Sequence, residues 1–561
     1  MNQLKTGDYV IFAIYFVFIS LYGYYIYNRK RSNQQGAKDF FLAEGSLTWW
    51  AIGASLIASN ISAEHFIGMS GSGFALGLAI STYEWMSAAT LIIVAVFLLP
   101  VYLKNKIYTM PQFLLQRYNS TVSTVMAIFW LLVYVFVNLT SIIYLGALAI
   151  SSVSQIPFTV SVAALAFFSV IVTLGGMKVI GYTDVVQVFV LILGGLTTTY
   201  LALTMVSGQF GFGKDAIKGL FLLKEKAPEH FHMIFNHSNP YFKDLPGLSV
   251  LIGGMMVNNL AYWGCNQYII QRALGADLKT ARSGILFAGF LKLLIPVIAV
   301  IPGIAAYVLY KNGLFQSSLK DASGVIKPDH AYPTLLNLLP EGMKGLAFAA
   351  LVAAIIASLA GKANSISTIF SLDIYKPFFN KEASEKKLIS TGRWAVIISM
   401  LVAALVAPAL TALDQAYQFI QEYVGFISPG VLAIFLLGMF WKRTNSAAAL
   451  TAAVLTIPLS VVLKWLPKIC DLRFLAGSGF SSPVTQSDGT ILYEIPFLDR
   501  MTIVFLFLSA LMVIISLLQP QAKNAARIIQ VDKTMFRSTP SFIAGAVLIV
   551  GILAALYTAF W

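Results

Sequence analysis

Residues Trp49–Gly73 read WWAIGASLIASNISAEHFIGMSGSG, a stretch too apolar for a water-exposed surface and too interrupted for a plain membrane span. Its first half reads as a helix. A polar run then arrives with Ser59, Asn60, Ser62, Glu64 and His65, followed by Gly68, Ser70, Gly71, Ser72 and Gly73. Hydrocarbon offers the backbone no water, so a helix comes apart at membrane depth only where protein or a wet cavity satisfies the freed amides and carbonyls. A break here predicts a binding site: bare carbonyl oxygens suit a small hard cation, and the polar side chains beside them suit a hydrophilic solute. On this stretch alone, a kinked span at a loop edge stays open as the alternative.

Composition sets the class. With 58% hydrophobic, 13% aromatic and 11% charged residues over 561 positions and a mean hydropathy of +0.78, the chain reads as a polytopic membrane protein in contact with a lipid bilayer. The formal charge of +14 does not point to nucleic acid, because the basic residues sit in short loops between apolar runs, where they act as topology signals. Cys265 and Cys470 are the two cysteines, one in an apolar run and one in a loop, so neither a disulfide framework nor a zinc site is expected. No nucleotide-binding P-loop is present, so uphill transport would draw on an ion gradient rather than ATP.

Residues 9–27 are apolar and run straight into Asn28-Arg29-Lys30-Arg31 without a small-residue cleavage site, the pattern of an anchored first span with its N-terminus outside. Fourteen spans are expected, near 9–27, 48–73, 81–103, 121–150, 158–175, 182–206, 248–271, 282–310, 345–375, 391–411, 417–440, 446–465, 500–518 and 541–560. Every second loop is then basic, through Lys104, Lys106 and Arg117; Lys178; Arg272, Lys279 and Arg282; Lys376, Lys381, Lys386, Lys387 and Arg393; Lys442 and Arg443; and Lys523, Arg527, Lys533 and Arg537. The short loops 74–80, 151–157 and 411–416 carry no Lys or Arg, which places both termini outside. The longer external segments, about 207–247, 311–344 and 466–499, read as loops with room for short surface helices.

A second interrupted span is expected in 248–272, where NNLAYWGCNQY puts Asn258, Asn259, Asn266 and Gln267 beside Tyr262, Trp263 and Gly264. Its distance from the first break, five spans, is the interval of a five-helix unit repeated with inverted topology. The division is then 1–47 for an added helix and the first cytoplasmic loop, 48–206 and 248–440 for the two repeats, 207–247 for an external loop, and 441–561 for three accessory helices carrying loop 466–499.

The strings ASLIASNISAEHFIGMSGSG, STYEWMSA, FVNLTS, AYWGCNQYIIQRAL, FLKLLIPVIAVIPGIAAYV, ANSISTIFSLDIYK and FIQEYVGFISPGVLAIFLLGMFWKR resemble the sodium:solute symporter family, and in particular its sodium/galactose and sodium/glucose branch. The resemblance runs through nearly the whole chain and is weakest in loop 466–499. It implies an all-α membrane fold of the leucine-transporter type, with sodium and a hexose bound together near mid-membrane and no cofactor beyond the coupling ion. It also implies site residues. His65, Glu84, Ser87, Asn138, Asn259, Lys292 and Gln421 match sugar contacts, while Met69, Tyr83, Tyr262 and Tyr417 match the lids above and below the ring. The chemistry agrees, because a ring of hydroxyls needs carboxylate, amide and ammonium partners between aromatic or thioether faces. Glu84 and Lys292 are opposite charges in apolar helices and are expected to neutralise each other.

The chain departs from the family at two places. His65 stands where the family has Gln, which removes a donor and brings a titratable ring, so an altered sugar preference or a pH-dependent uptake is expected. At the ion site the resemblance implies sodium held by the carbonyls of Ala58, Ile61 and Ala354 and by two consecutive hydroxyls, but here that pair is Ala357-Ser358 and one hydroxyl is missing. Lys362 lies four residues after Ser358 on the same helical face. Three readings follow for it, in decreasing order of weight: snorkelling to the inner surface, lining the ion's exit path, or standing in for the cation as a tethered charge. Asp184 matches an acidic residue of the exit path, and an approach between Lys362 and Asp184 is expected.

The function read from all this is secondary active symport of sodium and a monosaccharide. The alternatives are another organic solute such as inositol or a sugar acid, proton coupling, and a sugar-binding sensor that does not transport. An enzyme is not expected, since Glu64, Glu84 and Glu422 offer no acid and base pair spaced around a scissile bond. Short loops and few cysteines look bacterial, which implies the inner membrane.

Overall fold

Apolar runs of about twenty residues satisfy all their backbone groups inside a membrane by becoming helices. The structure, a computed structural model, describes residues 4–29, 47–320, 324–412, 416–486, 489–519 and 529–561. Among these, eleven helices are long and apolar enough to cross a membrane. Three of the expected spans lie outside that set: Phe158–Leu174 is a shorter apolar helix, and 48–73 and 248–271 are interrupted. The basic positions Lys30, Arg31, Lys523 and Arg527 fall outside the described residues.

In chain order, α1 (Thr6–Arg29) precedes the first interrupted segment, α2 (Trp49–Asn60) and α3 (Ser70–Leu76). Then come α4 (Thr82–Ile93), α5 (Ser120–Leu132), α6 (Thr140–Ser154), α7 (Phe158–Leu174) and α8 (Gly176–Gln209). The second interrupted segment is α9 (Gly254–Cys265) and α10 (Gln267–Leu274), followed by α11 (Leu278–Lys311), α12 (Met343–Ile369), α13 (Glu385–Val406), α14 (Ala416–Val424) and α15 (Ser428–Phe440). The C-terminal part holds α16 (Ser446–Trp465), α17 (Phe497–Leu518) and α18 (Pro540–Ala559).

The middle of the bundle is built from α2, α3, α8, α11 and α12, with α8 along α12 and α11 along both pieces of the first interrupted segment. Small residues allow that approach: a Cβ on Gly303 of α11 would lie 2.0 Å from the Ser70 carbonyl oxygen. Outward faces stay apolar, as at Leu405, 73% exposed, and Ile14, 63% exposed, which is the surface lipid requires. The added helix α1 is tied to the start of α12 by Asp8, whose Oδ1 accepts from the Gly342 and Gly345 amides at 2.8 Å each.

Two expectations about the fold are corrected. Loop 466–499 holds a two-stranded hairpin, β1 (Ser482–Thr485) with β2 (Ile491–Glu494), paired antiparallel from Ser482↔Glu494 to Thr485↔Ile491, so the chain is not purely helical. Gly489, at φ +82°, supplies the left-handed backbone of its turn. The second break falls inside the expected stretch 248–272 but late in it: Asn258 to Gly264 is unbroken helix, and the chain leaves α9 only at Asn266, with φ −103° and ψ 126°. The amides of Asn258 and Asn259 reach partners on facing helices from within a regular helix, so their polarity did not require unwinding.

Candidate functional site

The first break is short. α2 runs to Asn60, Ile61 is extended at φ −73° and ψ 125°, and the helix resumes as a wide turn over Glu64–Met69. The last carbonyls of α2 are thereby left without intrahelical partners, and Ser62 Oγ accepts from the Glu64 amide at 3.2 Å. At the second break, Tyr134 donates its hydroxyl proton to Asn266 Oδ1. Both breaks meet one cavity, which Asn60, Glu64, Tyr262, Asn266 and Tyr268 help to line.

One half of the cavity carries charge. Lys292 is fully buried, and Glu84 is 3% exposed. The Lys292 ammonium donates to Glu84 Oε2 and to Asn60 Oδ1 and lies 5.0 Å over the Trp263 ring. His65 Nε2 sits 3.3 Å from the other Glu84 oxygen, while His65 Nδ1 accepts from the Ser62 amide at 3.3 Å. That backbone bond puts the proton of a neutral ring on Nε2, facing the carboxylate. Ser87 donates to Asn259 Oδ1 at 2.8 Å, which leaves Asn259 Nδ2 buried and unpartnered among the described residues. The other half is amide and aromatic. Asn258 donates to Gln421 at 3.4 Å, Asn60 donates to the Tyr262 hydroxyl at 2.8 Å, and the rings of Tyr83 and Tyr417 meet edge to face at 5.6 Å.

Of the residues expected at the solute site, His65, Glu84, Ser87, Asn138, Asn259 and Gln421, together with Tyr83, Tyr262 and Tyr417, line this cavity. Lys292 stands behind Glu84 rather than at the wall, and Met69 is fully buried in the cluster that contains Tyr83 and Tyr417. Sequence reasoning gave no role to Tyr134, Tyr268 and Ser428, which also line it. Their aromatic and hydroxyl side chains are too common in apolar helices to stand out. Asn60 and Glu64 were visible in the polar run of the opening stretch.

Toward the ion site, Ala354, Ala357 and Ser358 are buried on α12. Ser358 Oγ donates to the Ser59 carbonyl at 3.0 Å, joining α12 to the end of α2. Lys362 Nζ donates to Ser358 Oγ at 2.8 Å and to the Ser59 carbonyl at 3.4 Å. The expected approach of Lys362 to Asp184 does not produce an ion pair. Asp184 instead accepts from Ser55 at 2.5 Å and faces Arg272 at 3.8 Å, and Arg272 Nε also donates to Ser55 at 2.8 Å. Arg272 comes from α10, so it reaches this carboxylate only because the second break turns that helix inward. In the sequence it reads as a topology signal and nothing more.

The sodium:solute symporter family profile matches residues 40–456. The chain belongs to this family. A sodium/glucose cotransporter of Vibrio parahaemolyticus is 44% identical, with each chain covered over 100% of its length. A sodium/myo-inositol cotransporter 2 of Oryctolagus cuniculus is 32% identical over 82% of this chain and 70% of that one. A substrate-bound, outward-open Na⁺-coupled sialic acid symporter superposes with a TM-score of 0.75 at 21% identity, covering 92% of this chain and 99% of that one. That likeness concerns the fold. The symporter is a multi-pass membrane carrier and not an enzyme, and its family's defining ion is sodium.

Proposed function

We propose that the protein is a secondary active symporter that couples inward sodium flow to uptake of a hexose of the galactose or glucose type. The observation that carries this is the cavity itself, where two carboxylates, an imidazole and six amides converge between tyrosine faces at the meeting point of two helix breaks. Such a surface pairs the alternating donors and acceptors of a polyol ring and covers its apolar faces. Glu84, His65, Ser87, Asn138, Asn259 and Gln421 are the proposed solute contacts, with Lys292 holding Glu84 in place. Met69, Tyr83, Tyr262 and Tyr417 are the proposed gates, and Asp184 lines the proposed ion exit path.

Sodium is proposed to enter among the carbonyls of Ala58, Ile61 and Ala354 and the Ser358 hydroxyl, drawing α2 and α12 together and ordering the sugar cage before the bundle rocks. The proposed frame is fourteen spans, with inverted repeats over 48–206 and 248–440 in a bacterial inner membrane and both termini outside. With one ion per sugar, a charge crossing about 100 mV supplies roughly 2.3 kcal/mol and a tenfold sodium gradient about 1.4 kcal/mol more. Together these sustain a several-hundred-fold sugar gradient.

A second reading, a cyclic polyol such as inositol, draws on the inositol cotransporter relative and on the same donor and acceptor ring. Counterflow of labelled galactose, glucose and inositol in proteoliposomes, under sodium, potassium or a proton gradient alone, tests both. Sodium-stimulated hexose exchange is expected. Exchange of inositol alone would replace the solute, and exchange driven only by protons would replace the ion.

A further inference from the structure

We infer that the ammonium of Lys362 is a tethered occupant of the sodium site and competes with the ion for it. The inference rests on the symport reading for the identity of the ion, and it assigns Lys362 as the residue that sets the ion's apparent affinity.

Lys362 is 1% exposed, so it does not snorkel to the inner surface. Its Nζ holds the Ser358 hydroxyl at 2.8 Å and the Ser59 carbonyl at 3.4 Å, a pair of oxygens that also bridges α12 to the end of α2. The Tyr268 ring lies 4.7 Å from the same nitrogen, a face that stabilises a cation. Two oxygens and a π face accommodate the three N–H bonds of an ammonium without a carboxylate. Among the described residues no carboxylate is within ion-pair distance: Asp184 is engaged by Arg272 and Ser55, Glu84 by Lys292 and His65, and Glu64 attracts the ammonium only through space. The direct contacts of the charge are therefore dipoles and a ring face, as a bound monovalent metal's first contacts would be oxygens, with the Glu64 carboxylate further off.

Two further features belong to the same place. Ala357 leaves one hydroxyl fewer than the family pattern implies, a loss that an ammonium, with three N–H bonds to place, tolerates better than a metal ion that gathers more oxygens. Ser59 Oγ is buried and has no partner among the described residues, so one oxygen at the edge of the site is still available to a cation. Gly361 completes the fit, because a Cβ there would lie 2.6 Å from an Arg272 guanidinium nitrogen and 2.7 Å from Ser59 Oγ. Sodium and the ammonium need the same Ser358 oxygen and repel each other, so one excludes the other.

Binding of ²²Na⁺ to the purified full chain in lipid nanodiscs, at constant ionic strength with choline, tests this without transport. If the ammonium holds the site nine-tenths of the time, the apparent sodium affinity is about tenfold below intrinsic. Lys362→Met and Lys362→Gln are each expected to bind sodium about tenfold more tightly than the unmutated chain, and adding Ser358→Ala is expected to abolish the gain. Equal or weaker binding in the folded neutral variants overturns the inference, as does a gain that survives Ser358→Ala. A second measurement needs no variant: sodium should raise the acetylation of Lys362 by acetic anhydride, read by peptide mass spectrometry, and a flat response across the sodium range overturns it. Loss of hexose counterflow with the sodium gain intact would strike the solute assignment alone.

Discussion

Removing the carboxylate from the Glu84–Lys292 pair should destabilise the fold far more than removing both charges together. In Glu84→Gln, the Lys292 ammonium stays fully buried with Asn60, the Trp263 ring and a neutral amide at position 84 in place of its counter-charge. In Lys292→Met, the Glu84 carboxylate loses its ammonium partner and keeps the His65 ring. Breaking one side of a buried ion pair costs about 3–5 kcal/mol, whereas replacing both sides by groups of similar size is often close to neutral. Asn60 and Trp263 retain part of the ammonium's solvation, so each single variant is placed near the lower end, at about 3 kcal/mol. The double variant Glu84→Gln/Lys292→Met is placed within about 1.5 kcal/mol of the parent, giving a coupling of at least about 2 kcal/mol. The assay is reversible unfolding in mixed micelles titrated with a denaturing detergent, analysed as a double-mutant cycle. Sugar counterflow is expected to fail in all three variants, because each removes Glu84 or the ammonium that places it at the cavity wall, and so it does not discriminate. Single variants within about 1 kcal/mol of the parent, or a coupling below about 0.5 kcal/mol, would refute the view that these two charges exist at this depth only by virtue of each other.

His65→Gln keeps a donor toward Glu84 but loses the imidazole's fixed proton, so it should change the ratio of galactose to glucose exchange by about fivefold, one hydrogen bond's worth; an unchanged ranking and pH profile would sink the specificity role. Asp8→Ala removes the acceptor that binds two amides at the start of α12 and should cost about 1–2 kcal/mol in the same unfolding assay, with no change if α1 is a passive addition. Gly303→Leu forces side-chain atoms onto the Ser70 carbonyl and should abolish folded protein, as judged by size-exclusion of the solubilised chain, whereas a monodisperse active variant would mean that α3 and α11 are not held so closely.

Much of the architecture is legible in the residues. Apolar runs give the spans because hydrocarbon permits only internally bonded backbone, and the polar run from Ser59 to His65 marks a break for the same reason. The break proves narrower than that run, since only Ile61 and Ser62 leave the helical conformation. The pairing of Glu84 with Lys292 also follows from sequence, since two opposite charges in apolar helices have few other ways to be tolerated. The hairpin at Ser482–Glu494 was missed even though its Asp488-Gly489 pair is a turn signal, because a long external loop gives no periodicity strong enough to separate strands from coil.

What the sequence alone determined is what each group is: a carbonyl freed by a break, a carboxylate that must be met, a lysine one turn below a lone serine. Whom each group meets was decided by the tertiary structure. Asn258 and Asn259 remain helical because α15 and α4 bring Ser428 and Ser87 to them. Asp184 takes Arg272 rather than Lys362 because the turn at Asn266 carries α10 against α2. Lys362 is left to the Ser59 and Ser358 oxygens. Each buried ion or amide takes whichever partner lies within about 3 Å, and residues hundreds apart in the chain reach that distance only through helix packing.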